Sequence, residues 1–141
     1  MCLTSVYDIS QMATSPQEFL ERTRKDPEWF VRTVYGTEVI GKQRDILKAV
    51  AEPGVREVHV RSCHASGKTY TAAHLVSWFL ACWPNDSVVI TTAPTWIQVE
   101  QILWREIAGS VKRSKVALGP APLKTRWDIG PKWYALGIAT S

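Results

Sequence analysis

The sequence predicts an α/β domain: a parallel sheet flanked by helices, with a helical segment leading into it. Three observations predict it. Val55 to Arg61 (V-R-E-V-H-V-R) alternates apolar and polar residues, the period of a strand. Tyr70 to Trp83 is apolar on nearly all sides, as expected of a helix buried in a layered core. Ser87 to Ala93 is a short β-branched run, the pattern of a strand buried on both faces. Strand, helix and strand in that order form a parallel unit joined by a crossover helix.

The remaining elements follow in order. Residues 1 to 14 show no periodicity and read as a flexible N-terminal arm. Residues 15 to 54 read as a helical lead-in. Ser15 can cap a helix, Pro16 suits its first position, and Glu18 completes a capping box. Asp26-Pro27 restarts a helix carrying Trp29, Phe30, Val31 and Val34, and Gly36 stops it. A third helix is expected over Lys42 to Ala51, ended by Pro53-Gly54. Residues 55 to 141 read as the first part of the α/β domain. After Ser87 to Ala93, Thr95 caps a helix with Gln98 at the capping-box position. Trp96, Val99, Leu103 and Ile107 are expected on one face of it. Lys124 to Ile129 and Trp133 to Thr140 read as two strands joined at Gly130-Pro131.

Composition excludes several classes. A chain of 141 residues, 45% hydrophobic and 21% charged, can bury a core and is not disordered. The net charge of +4 permits a nucleic-acid partner without demanding one. Cys2, Cys63 and Cys82 are too widely spaced for a zinc site or a disulfide framework, so a reduced, intracellular protein is expected. No secretory signal is visible at the start, and the longest apolar run is too short to span a membrane. Seven tryptophans call for large aromatic anchors in a core or an interface.

The chemistry concentrates in Ser62-Cys63-His64-Ala65-Ser66-Gly67-Lys68-Thr69, between a predicted strand and a predicted helix. The phosphate-loop pattern is G-x-x-x-x-G-K-[ST]; only its first glycine is missing, replaced by Ser62. Phosphates need many donors in a small concave space. Gly67 lets backbone N–H groups approach them, and the following helix adds unpaired N–H groups and a favourable dipole. Lys68 would reach the β- and γ-phosphates of ATP, and Thr69 would place its hydroxyl on Mg²⁺. A bare G-K-T is short enough to arise by chance, and the plain alternative is a glycine turn with a solvated lysine. The flanking strand and helix argue for the loop. Cys63 and His64 have no partners at metal or nucleophile spacing and read as loop backbone. His59 and His74 read as structural, and Lys112, Arg113 and Lys115 as a solvated helix end. A hydrolase of this type also needs an apolar strand closing in an acid to hold Mg²⁺. None follows Lys68; Asp86 lies in a turn and Asp128 follows Arg126-Trp127. The expectation is nucleotide binding without efficient hydrolysis.

R-S-C-H-A-S-G-K-T (Arg61 to Thr69) and V-V-I-T-T-A-P-T-W-I-Q-V-E-Q-I-L-W-R-E-I (Val88 to Ile107) together resemble phage terminase large subunits. The T-A-P-T-W-x-Q-V core is the more specific part. Lys42-Gln43-Arg44-Asp45-Ile46-Leu47 resembles the upstream glutamine motif of that family. The resemblance spans about Pro27 to the end. It implies a P-loop NTPase fold and an ATP-driven motor that moves double-stranded DNA into a capsid. It implies a ring-forming homo-oligomer working with a terminase small subunit and a portal protein in the bacterial host cytoplasm. By position, Gln43 would recognise adenine and Ser62 to Thr69 would be the phosphate loop. Thr92, Ala93, Pro94 and Thr95 would couple nucleotide state to DNA.

The chain departs from the family in three ways. Cys63 and His64 stand where some terminases carry a loop arginine; Arg61, just before, is a poor substitute. The Mg²⁺-holding acid and the RNase H-like nuclease domain are expected beyond Ser141, so the sequence reads as truncated. A half-built sheet would leave an open edge and an uncovered apolar face, which predicts self-association. Two other readings share these residues. One is a superfamily 2-like helicase or translocase fragment. The other is a non-catalytic remnant that binds nucleotide or DNA.

Overall fold

The structure, a computed structural model, describes residues 15–61 and 67–140. The expected arm over residues 1 to 14 and the loop residues Ser62, Cys63, His64, Ala65 and Ser66 lie outside the described residues. The described elements are five α-helices, a π-helical stretch and a three-stranded mixed sheet, an α/β arrangement.

Local signals set the helical lead-in. Helix α1 (Pro16–Lys25) starts where Ser15 Oγ accepts the backbone N–H of Glu18 at 3.1 Å. Helix α2 (Pro27–Tyr35) starts where Asp26 Oδ1 accepts that of Trp29 at 2.9 Å. Gly36 ends α2 at φ 66°, the left-handed conformation glycine adopts without cost. Helix α3 (Lys42–Ala51) has the expected bounds, and Gly54 turns the chain after it at φ 84°. Helix α4 begins at Lys68, two residues before the apolar stretch, and runs to Cys82.

The sheet holds β1 (Ser87–Ala93), β2 (Arg126–Gly130) and β3 (Trp133–Ala139) in the order β1-β3-β2. β1 and β3 are parallel, with Val89 opposite Ala135 and Thr91 opposite Gly137. β2 and β3, the two strands expected on either side of Gly130-Pro131, are antiparallel, so the sheet is mixed and not the parallel sheet of the predicted fold class. α4 and the π-helical stretch Gln98–Trp104 pack on one face of it. α1, α2 and α3 pack against α4.

Three expectations are corrected. Val55 to Arg61 is not a strand: it joins no ladder among the described residues, and Val55, Val58 and Val60 are exposed. Alternation supplies two faces, but a strand also needs a neighbour for its N–H and C=O groups, and no described strand pairs with this segment. Second, β1 is not buried on both faces. Ser87 and Thr91 face the core, while Val88 and Ile90 are 43% and 60% exposed, beside exposed Ile138 of β3. Third, Trp96 is exposed and Trp104 takes its place in the core. The π-helical stretch causes this. Its hydrogen bonds span five residues, which brings Val99 and Trp104 to the same face. Helix α5 (Arg105–Arg113) then resumes α-helical spacing and buries Ile107 and Ser110.

Four tryptophans anchor the core, and each gives its indole N–H an acceptor. Trp78 donates to Thr23 O at 2.6 Å and Trp133 to Leu80 O at 2.7 Å. Trp127 donates to Pro120 O at 2.8 Å and Trp104 to Thr91 Oγ1 at 2.9 Å. Each therefore buries a large apolar body without leaving its one donor unpaired. Cys82 is a free, buried thiol, and burial pushes its pKa up to about 12, which keeps it protonated. No helix of the described residues is long and apolar enough to cross a membrane.

Candidate functional site

A pocket of about 720 Å³ opens where α3, the segment 55–61 and the start of α4 meet. This is within the range of cofactor and small-molecule sites. Three cations line it: Lys42, Arg61 and Lys68. Its apolar wall is made by Ile40, Ile46 and Ala49 on one side and Val58 and Val60 on the other. Gln43 also lines it. Fixed positive charge beside an apolar slot is the combination that a phosphorylated ligand with a flat apolar portion requires.

The local sequence explains how each part reaches the pocket. Lys42, Asp45, Ile46 and Ala49 are spaced three, four and seven residues apart, so one face of α3 carries them all. Helix α3 is held in place by Leu47, which is buried, and by Arg44, which reaches Glu28 of α2 at 3.1 Å. Gly67 is the N-cap of α4 at φ 82°, and Thr71 Oγ1 donates back to its carbonyl at 2.9 Å. Lys68 is the first residue of α4 and exposed to solvent; Thr69 is half-buried beside it.

Gln43 and Gly67 touch. A β-carbon built on Gly67 would collide with Nε2 of Gln43. The left-handed backbone favours glycine there, and a larger residue would also have to displace the end of the Gln43 side chain. Gly54 has an equally positive φ with nothing near its missing β-carbon. Gly54→Ala should therefore cost only the backbone strain, about 1–2 kcal/mol, and Gly67→Ala more than that. Equal losses in denaturant unfolding would show that Gln43 does not press on Gly67.

Of the residues singled out in the sequence, the fold brings Gln43 and Lys68 into one pocket and sets Gly67 against Gln43. Thr69 does not line it. Neither do Thr92, Ala93, Pro94 and Thr95, which form the end of β1 and the turn into the next helix. There Thr95 Oγ1 accepts the N–H of Gln98 at 3.3 Å, the expected cap. Asp128 sits in β2 with its carboxylate 2.7 Å from Arg126 Nε, away from the pocket. His59 is not a strand residue in a core but an exposed side chain on the pocket rim, 3.4 Å from Glu57. His74 is structural as expected: buried in α4, it packs its ring 4.3 Å from Tyr70 and 4.5 Å from Tyr35. Arg113, at the end of α5, pairs with Glu106 on the surface.

Lys42, Asp45, Ile46 and Val58 were missed from the sequence. The signal for the α3 residues was available in their helical spacing from Lys42. Val58 and Val60 carried none, because their alternation pointed to a sheet. No cluster of histidine, cysteine or carboxylate side chains that could hold a metal exists among the described residues. No family model, curated protein or solved structure matches the chain.

Proposed function

We propose that the chain binds a nucleoside triphosphate, ATP with Mg²⁺, at the start of α4. We further propose that it is the nucleotide-binding part of a DNA-packaging motor of the terminase large-subunit type. The observation that carries the first part is the pocket that joins Gln43, Arg61 and Lys68 to an apolar wall. Lys68 and Arg61 would balance phosphate charge, Ile46 and Val58 would flank the base, and the loop of Ser62 to Gly67 would supply backbone donors. Thr69 would hold Mg²⁺. The second part rests on the resemblance of Arg61 to Thr69 and Val88 to Ile107 to that family. Double-stranded DNA, a small subunit, a portal and a ring of identical copies belong to this second part. The sole carboxylate lining the pocket among the described residues is Asp45, on a helix rather than at a strand end. Binding without efficient hydrolysis is therefore expected.

Lys68→Ala tests the first part. Loss of a charge-assisted contact is worth about 1.5–3 kcal/mol, so ATP affinity should fall roughly ten- to hundredfold. Titration calorimetry reads the affinity, and an unchanged melting temperature shows that the fold is intact. Unchanged affinity in the variant, or no binding by the unaltered chain, would sink the proposal.

A further inference from the structure

We infer that Gln43 is a positioning residue for the phosphate-binding end of α4, and not a reader of the base alone. The inference rests on the nucleotide-binding reading and adds a second role to a residue that the resemblance assigns to adenine. Its basis is the contact at Gly67. The Gln43 amide occupies the space a β-carbon would take on the residue that caps α4. Gly67 is held on its other side by the Thr71 hydroxyl, which donates to its carbonyl at 2.9 Å. A left-handed glycine has several conformations open to it. The Thr71 backbone N–H and hydroxyl, both donating to its carbonyl at 2.9 Å, and the packing of Gln43 together narrow that choice.

That restriction fixes the direction in which the first N–H groups of α4 and the Lys68 stem leave the cap. Gln43 is itself fixed. Its helix is closed at the start by the N–H of Gln43 on Ile40 O at 3.1 Å and the N–H of Arg44 on Gly41 O at 3.2 Å. The helix then leans on α2 through the Arg44–Glu28 pair. Shortening the Gln43 side chain would remove this packing and leave Gly67 held only through its carbonyl, by the Thr71 backbone N–H and hydroxyl. The preorganisation that phosphate binding uses would be lost whatever base the ligand carries.

The two roles separate with a ligand that lacks a base. Affinities of ATP and of ribose 5′-triphosphate would be measured for the unaltered chain, Gln43→Ala and Gln43→Met, with the melting temperature of each recorded. A positioning role predicts that Gln43→Ala weakens both ligands by a similar factor, about tenfold for roughly 1.4 kcal/mol. Gln43→Met keeps the length of the side chain without the amide, and should restore ribose triphosphate binding but not the full affinity for ATP. If Gln43→Ala weakens ATP alone, Gln43 reads the base and the inference falls while the nucleotide reading stands. If Gln43→Met is as weak as Gln43→Ala for ribose triphosphate, the amide contacts phosphate directly and positioning is overturned. If the unaltered chain binds ATP but not ribose triphosphate, affinity lies in the base and the inference also falls. Binding of neither ligand would remove the nucleotide reading with it.

Discussion

Trp104→Ala is expected to destabilise the chain by about 3–5 kcal/mol, a large share of a small domain's total stability. Trp104 is among the largest fully buried side chains, and its indole N–H donates to Thr91 Oγ1 on β1. Removing it opens a cavity between the π-helical stretch and the sheet and leaves the buried Thr91 without that donor. The same contact makes a very small change costly in the opposite direction. A β-carbon on Gly137 of β3 would run into Trp104 and Val99. Gly137→Ala adds one methyl group, and overpacking of this kind costs about 1–3 kcal/mol. Because both substitutions act on one contact, their effects should not add: Trp104→Phe, which removes the indole N–H and shortens the ring, should reduce the penalty of Gly137→Ala. Denaturant unfolding of the two single variants and the double variant gives the coupling directly. A strictly additive cycle would mean that Trp104 and Gly137 do not pack against each other.

The second large effect depends on pH. His74 is buried between Tyr35 and Tyr70, and burial, with a smaller push from Arg113, lowers its pKa from 6.5 to about 4. The folded chain therefore holds His74 neutral where the unfolded chain would protonate it. Above pH 6.5 neither state binds the proton and the full stability is present. As the pH falls from 6.5 to about 4 the unfolded state gains a proton that the folded state refuses, and stability is lost. The integrated loss is about 3 kcal/mol. In His74→Leu this loss should vanish. The difference in unfolding free energy between the two proteins, followed from pH 7 to pH 4, isolates it from the titration of surface carboxylates. A difference that does not change with pH would mean that His74 is protonated in the folded state as easily as in the unfolded one.

Both effects lie at places the sequence describes incompletely, and the reason differs. His74 was legible as a core residue because Tyr70 to Trp83 is apolar around its whole circumference, and a histidine in such a helix has nowhere polar to go. The Trp104–Gly137 contact was not legible. The spacing of Trp96, Val99, Leu103 and Ile107 fits an α-helix, and only the π-helical turn brings Trp104 inward. That turn is favoured by the fit of Val99 and Trp104 against a glycine 33 residues beyond Trp104, on a strand that meets β1 only through the fold.

The candidate site divides in the same way. Gly67, Lys68 and Thr69 were found from spacing alone, and Gln43 from a resemblance. That Gln43 and Lys68 share a pocket, and that Gln43 presses on Gly67, follows from the packing of α3 against α4. Thr92 to Thr95 were marked by the same resemblance, yet none of them lines that pocket.

By itself the sequence determined the caps, the turns and the bounds of the helices in the lead-in. Ser15, Asp26 and Thr95 each bond to an N–H three residues on. Gly36 and Gly54 take left-handed conformations that a missing β-carbon permits. These interactions close within one turn of chain, so they need nothing distant. The tertiary structure alone decided which strands pair. Val55 to Arg61 has the composition of a strand, and Ser87 to Ala93 that of a buried one. The first joins no ladder among the described residues, and the second leaves one face exposed. A strand's hydrogen bonds and its second face both belong to a neighbour, and the neighbour is chosen by the whole fold.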